Sequence, residues 1–159
     1  MNKRIIIVGP AAAGKDYLKR IFIKRGFTPD VSYTTRPKRA GEIDGQDYHY
    51  ISSPRFFEMI AGLKFYEWCE HGDYLYGTGQ FEWDNCDIFI METHGISQIS
   101  PEDRENCFII YLNPDKDIRQ KRLMERGWTL QNIMHRSTMD NEKFKNFKNY
   151  DMEITSPNF

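Results

Sequence analysis

Apolar residues gather in a few patterned runs separated by polar stretches. Ile5–Val8 is a short β-branched run without alternation, which predicts a strand buried on both faces, as in a parallel sheet. Downstream, Tyr17, Leu18, Ile21, Phe22 and Arg25 keep the i, i+3, i+4 spacing of a helix, and Gly26 is a natural stop. Asp87–Met91 and Cys107–Leu112 repeat the buried-strand pattern. Asn113-Pro114 opens a helix with Ile118, Arg122 and Leu123 on one side, ended by Gly127. A further helix runs from about Leu130, and a last short strand lies near Asp151–Thr155.

The stretch 32–78 differs in texture, being rich in Tyr, Asp, Gly and Arg. Short strands are expected at Val31–Thr34 and Tyr48–Ile51. One helix is expected, with Ser53 as N-cap, Pro54 in its first turn, and Phe56, Phe57 and Ile60 facing inward. This segment reads as a subdomain inserted into an α/β core.

Composition narrows the picture. A chain of 159 residues predicts one domain. With 40% hydrophobic residues it has material for a core, which excludes wholesale disorder. Lys plus Arg number 22 and Asp plus Glu 23, for a net charge of -1, so no bulk electrostatic grip on nucleic acid or anionic lipid is expected. Ile5–Val8 is too short for a secretion signal or a membrane span. Cys69, Cys86 and Cys107 follow no metal-ligand spacing and read as reduced thiols of a cytoplasmic protein.

The segment Gly9-Pro10-Ala11-Ala12-Ala13-Gly14-Lys15 fits the G-x-x-x-x-G-K pattern of a phosphate-binding loop, between a buried strand and an amphipathic helix. Gly14 lets the backbone wrap closely, successive N–H groups face the phosphate oxygens, and the helix N-terminus adds partial positive charge. Lys15 can bridge the β- and γ-phosphates. Gly9 through Tyr17 are thus the candidate ATP-binding residues. Where the pattern has Ser or Thr after the lysine, this chain has Asp16. Its carboxylate is a candidate Mg²⁺ ligand, and impaired catalysis is the alternative consequence.

The next motifs are more specific. Ser32-Tyr33-Thr34-Thr35-Arg36-Pro37-Lys38-Arg39-Ala40-Gly41-Glu42-Ile43-Asp44-Gly45-Gln46-Asp47-Tyr48 resembles the guanylate kinase family stretch S-x-T-T-R-x-x-R-x-G-E-x-D-G-x-D-Y. Phe65-Tyr66-Glu67-Trp68 and Gly72–Thr78 resemble that family's F-x-E-W and G-x-x-Y-G-T segments, and the likeness runs from Ile5 to about Ile154. It implies a P-loop-type parallel sheet with helices on both faces, divided into three parts. These are a core of about 1–31, 79–112 and 141–159, a GMP-binding subdomain of about 32–78, and a helical lid of about 113–140. The resemblance also implies a GMP site of Ser32, Arg36, Arg39, Tyr48, Glu67, Tyr76, Thr78 and Glu92.

Side-chain chemistry agrees with that assignment. Arg36 and Arg39 can fork onto a phosphate. Tyr48 and Tyr76 can donate phenolic hydrogen bonds to it. Glu67 only accepts, which suits the adjacent N1–H and 2-amino donors of guanine and leaves adenine unmatched.

Arg122-Leu123-Met124-Glu125-Arg126-Gly127 resembles the family's lid segment R-L-x-x-R-G, and Arg136 falls one residue before the family's later arginine. Arg126 and Arg136 are therefore candidate catalytic cations beside Lys15, with Arg119 and Arg122 as further candidates. In Ile88–Gly95, which resembles L-D-x-D-x-Q-G, the first Asp is replaced by Ile90, the second by Glu92 and the Gln by His94. His94 reads as a polar residue ending a strand.

The expected reaction is phosphoryl transfer from Mg-ATP to GMP or dGMP, in a monomer or homodimer. A catalytically weak guanylate-kinase-like binding module, motivated by Asp16 and Ile90, and a kinase for another monophosphate are the competing readings.

Overall fold

The computed structural model describes residues 4–159. At its centre a four-stranded sheet is ordered β6-β1-β7-β8, and every neighbouring pair is parallel. Its strands are β1 (Arg4–Val8), β6 (Ile88–Ile90), β7 (Cys107–Leu112) and β8 (Met152–Ile154). The expectation for Ile5–Val8 holds: Ile6 and Val8 enter one apolar cluster with Phe89, Ile109 and Tyr111, while Ile7 enters another with Leu18, Ile88, Ile110 and Leu112. Alternate side chains of one strand thus fill both faces. Helix α1 (Lys15–Lys24) packs on one side through Leu18, and α4 (Thr93–Ser97) on the other through Ile96.

A second sheet, ordered β3-β2-β5-β4, lies within 32–79. It is built from β2 (Tyr33–Thr34), β3 (His49–Tyr50), β4 (Phe65–His71) and β5 (Tyr74–Gly79). β4 and β5 form an antiparallel hairpin that turns at Gly72, whose φ is 62°. That hairpin carries the F-x-E-W and G-x-x-Y-G-T segments on facing strands. Periodicity missed it, because β4 buries only alternate residues and β5 only its last three.

Helix α2 (Ser53–Ala61) corrects two expectations. Its N-cap is Ser52, whose side chain accepts from the Arg55 N–H at 3.4 Å, so Ser53 is the first helical residue. Phe56 is fully buried and stacks on Phe65, whereas Phe57 is 55% exposed and Ile60 is half-buried. Consecutive residues of a helix diverge by about 100° around its axis, so with Phe56 turned onto Phe65 its neighbour Phe57 faces solvent.

Three short helices were not anticipated: α3 (Gln80–Asn85), α4 and α5 (Pro101–Glu105). Each is too short to show a helical period. His94 lies exposed on α4, so it does not end a strand. The last two helices, α6 (Lys116–Glu125) and α7 (Leu130–Phe144), form a hairpin over the phosphate loop. Asp115, rather than Asn113-Pro114, starts α6 by accepting the Asp117 N–H at 2.8 Å. All three cysteines are free thiols, with Cys69 and Cys107 buried. Among the described residues no helix is long and apolar enough to cross a membrane.

Candidate active site

The loop between β1 and α1 is shaped by its two glycines. A Cβ on Gly9 would collide with the Leu112 carbonyl oxygen and sit 3.2 Å from Leu112 Cβ, so this glycine lets the loop leave β1 against β7. Gly14 caps α1 in the left-handed region, with φ 105°. Lys15 Nζ donates to the Gly9 carbonyl at 2.7 Å and the Pro10 carbonyl at 3.1 Å, which folds its ammonium over the loop. Burial lowers the Lys15 pKa, and Glu92 and Asp16 oppose that effect. Arg122 Nη1 braces the loop from α6 by donating to the Ala12 carbonyl at 3.0 Å.

A cleft of about 220 Å³ opens beside this loop. Ala11, Ala12, Lys15 and Asp16 line it on one side, and Ser32, Arg39, Tyr48, Glu67 and Tyr76 on the other. Glu92, Arg126 and Arg136 complete the wall. Twelve sequence-predicted site residues therefore meet around one space. Arg36 faces an adjoining cavity that shares Asp16, Ser32, Arg39, Tyr48 and Tyr76. The remaining predicted residues, Gly9, Pro10, Ala13, Gly14, Tyr17 and Thr78, lie off the cleft lining. Tyr17 is exposed and packs edge-on against Phe159.

Glu67 is 5% exposed at the cleft floor. Thr78 donates to its Oε1 twice, from the hydroxyl at 2.6 Å and the backbone N–H at 3.1 Å. The Thr78 hydroxyl is thus committed to Glu67 rather than presented to the cleft. Burial nonetheless raises the Glu67 carboxyl to about 7, because two hydrogen bonds recover only part of the lost hydration.

Arg36 is also engaged. Nη2 meets Glu42 Oε1 at 2.8 Å and Nη1 donates to the Pro37 carbonyl at 2.9 Å. Glu42 further accepts from the Arg39 N–H at 2.8 Å and the Tyr50 hydroxyl at 2.7 Å. Burial pushes the Glu42 carboxyl up, but Arg36 and these donors outweigh it and hold it at about 2. Ser32 donates to Asp30, a buried carboxylate that also pairs with Lys19 at 2.9 Å.

On the opposite wall, Lys143 Nζ reaches Glu92 Oε2 at 2.6 Å and His71 Nδ1 at 2.7 Å. Burial favours a neutral Glu92, but Lys143, His71 and Lys15 overcome it and keep the carboxyl near about 2. Arg136 contacts His71 Nε2 and comes within 3.1 Å of the Asp140 carboxylate. Asp30, His71, Trp128, Asp140 and Lys143 were not anticipated as site residues. Asp140 and Lys143 follow Arg136 at helical spacings, i+4 and i+7, which was the available signal.

Comparison with known proteins places the whole chain among relatives. The Guanylate kinase family model matches residues 1–159. A guanylate kinase of Clostridioides difficile is 33% identical over 159 residues, covering 94% of this chain and 78% of that protein. One from an aster yellows witches'-broom phytoplasma is 31% identical, covering 98% and 81%. The crystal structure of guanylate kinase from Anaplasma phagocytophilum superposes with a TM-score of 0.76 at 19% identity, over 98% of this chain and 77% of that one. With its full length matched by the family model, and with the β1–α1 loop, the β4–β5 hairpin and the α6–α7 hairpin converging on one cleft, the chain belongs to the guanylate kinase family.

Proposed function

We propose that this protein transfers the γ-phosphoryl group of ATP to GMP or dGMP, yielding ADP and GDP or dGDP. The observation that carries the reading is the opposition, across one cleft, of Lys15 on the phosphate loop and Glu67 on the β4–β5 hairpin. In this reading 32–78 forms the GMP-binding subdomain, about 113–140 the lid, and the remainder the core.

The donor's phosphates lie along Gly9–Asp16, with N–H groups and Lys15 taking up their charge. Glu67 selects guanine because its oxygens can pair with two adjacent ring donors, whereas adenine leaves a buried carboxylate unmatched. Arg39, Tyr48 and Tyr76 hold the acceptor phosphate. Arg36, tied to Glu42, supplies a fixed positive charge behind them. Arg126 and Arg136 face the transferring group. The acceptor is an anionic phosphate oxygen, so the reaction needs position and charge compensation rather than a protein base.

Magnesium fits the residues present. Among the described residues no group of three or more His, Cys, Asp and Glu could hold a metal by itself. An ion carried in on ATP needs only one or two protein oxygens and takes the others from phosphate and water. Asp16 lines the cleft at the first turn of α1 and would supply one. When bound, the ion neutralises phosphate charge.

The test is ADP release from Mg-ATP with GMP, dGMP, AMP, CMP, UMP and dTMP as acceptors. Turnover confined to GMP and dGMP is the expected result. A folded protein that binds GMP yet turns over none of the six would instead be a binding module.

A further inference from the structure

Asp140 is a carboxylate on α7 that the mechanism above does not use, yet it is only 2% exposed. Three groups surround it. Its Oδ2 accepts the Ala11 N–H of the phosphate loop at 2.9 Å. Its Oδ1 stands 3.1 Å from Arg136 Nε. Arg119 Nη1 lies 3.9 Å from Oδ2, and the Arg119 Nε donates to the Pro114 carbonyl at 3.2 Å. One buried side chain therefore joins the phosphate loop, the base of α6 and the lid arginine.

The Arg136 contact is unusual. The distance is that of an ion pair, but Nε and Oδ1 are both buried without a hydrogen-bond partner among the described residues. A buried polar atom left unpaired costs stability and calls for a reason. Helix formation does not provide one. Within a helix, the favourable order places the acid four residues before the base, and here Arg136 precedes Asp140. Asp140 is also the counter-charge of Arg119, itself only 6% exposed, but that pairing does not require Arg136 to stand beside it. The arrangement does hold Arg136 at the cleft edge, with Asp140 on one side and His71 on the other.

Resting on the phosphoryl-transfer reading, we propose that Asp140 is a positioning residue that ties Arg136 to the phosphate loop through the Ala11 N–H. It keeps the guanidinium aimed at the transferring phosphoryl group. Lid arginine and phosphate loop then move as one unit, and the reorganisation needed to reach the transition state is small.

The test is a kinetic cycle on the full chain with Mg-ATP and GMP: wild type, Asp140→Asn, Arg136→Lys and the double variant. Asparagine retains an oxygen for the Ala11 N–H and removes the charge that orients Arg136. Asp140→Asn is expected to lower kcat by at least tenfold while KM for GMP changes by less than about twofold. The double variant is expected to be no slower than Arg136→Lys, since Asp140 then has no guanidinium at the cleft edge to position. Multiplication of the two losses in the double variant, or an Asp140→Asn enzyme with wild-type kcat, would overturn the proposal.

A second readout needs no variant: the Ala11 amide of the wild type is expected to exchange its hydrogen slowly, and rapid exchange would refute the anchor. A wild type unable to phosphorylate GMP removes the functional reading and this inference together. An active wild type with an unaffected Asp140→Asn variant removes only the inference.

Discussion

Gly95, midway along α4, leaves the space that the Glu67 carboxylate occupies. A Cβ on Gly95 would lie 2.9 Å from Glu67 Cδ and closer still to Oε2. The backbone of α4 is helical there, so alanine is acceptable to the helix and unacceptable only to Glu67. Gly95→Ala is predicted to displace the carboxylate from the cleft floor and raise KM for GMP by about tenfold or more, with a smaller change for ATP. Initial rates against each substrate check it; an unchanged KM for GMP would refute the contact.

Glu67 carries opposite consequences for stability and selection. Its folded pKa, about 7, lies above the ordinary carboxylate value of 4.5. The associated stabilisation is full below about 4.5 and is lost as pH rises through about 7. Glu67→Gln is therefore predicted to stabilise the protein at pH 8, by up to about 3 kcal/mol, and to do little at pH 4.5. The same change is predicted to erode the preference for GMP over AMP. Thermal midpoints at the two pH values and paired acceptor rates measure both effects.

Asp16 supplies a charge where a hydroxyl is usual. Asp16→Asn is predicted to raise the Mg²⁺ concentration for half-maximal rate by roughly tenfold, because the proposed site would lose its charged oxygen. Chelation of Mg²⁺ is predicted to abolish turnover in both proteins. A magnesium titration at fixed ATP tests the assignment, and identical titrations would remove Asp16 from the metal site.

His71 bridges the β4–β5 hairpin and α7. Arg136 and Lys143 face it from α7 with Asp140 close by, Glu92 faces it from the N-cap of α4, and Tyr76 lies beside it on β5. A neutral imidazole has one acceptor nitrogen, so the two cations compete for it. Burial first, then Arg136 and Lys143, lower its pKa, with Glu92 opposing. A lowered folded value means that the stabilisation is present above the unfolded pKa of about 6.5 and is lost as pH falls below it. Wild type minus His71→Gln, compared as thermal midpoints between pH 7.5 and 5, is predicted to decline toward acid. A constant difference would show that the imidazole does not titrate in this window.

Much of the core and twelve of the residues lining the cleft could be read from residue order. The β-branched run Ile5–Val8 and the spacing of Gly9, Gly14 and Lys15 are local patterns that backbone sterics and loop chemistry interpret, whereas the arginine, tyrosine and glutamate motifs were legible through their resemblance to the guanylate kinase family. The unanticipated features depend on contacts between distant segments. Thr78 is spent on Glu67 because β4 and β5 pair in antiparallel register. Phe57 is exposed because its neighbour Phe56 takes the helix face that stacks on Phe65.

Asp140 gives the sharpest contrast. By sequence it is an ordinary acid on a polar helix, 129 positions from Ala11. Only the packing of α7 onto the phosphate loop turns it into a buried anchor for a cation. The sequence alone determined which chemical groups the chain possesses and which short elements they sit on. The tertiary structure decided which of those groups are already engaged with one another and which face the cleft. Burial and pairing depend on what the rest of the chain places nearby, and no local pattern encodes that.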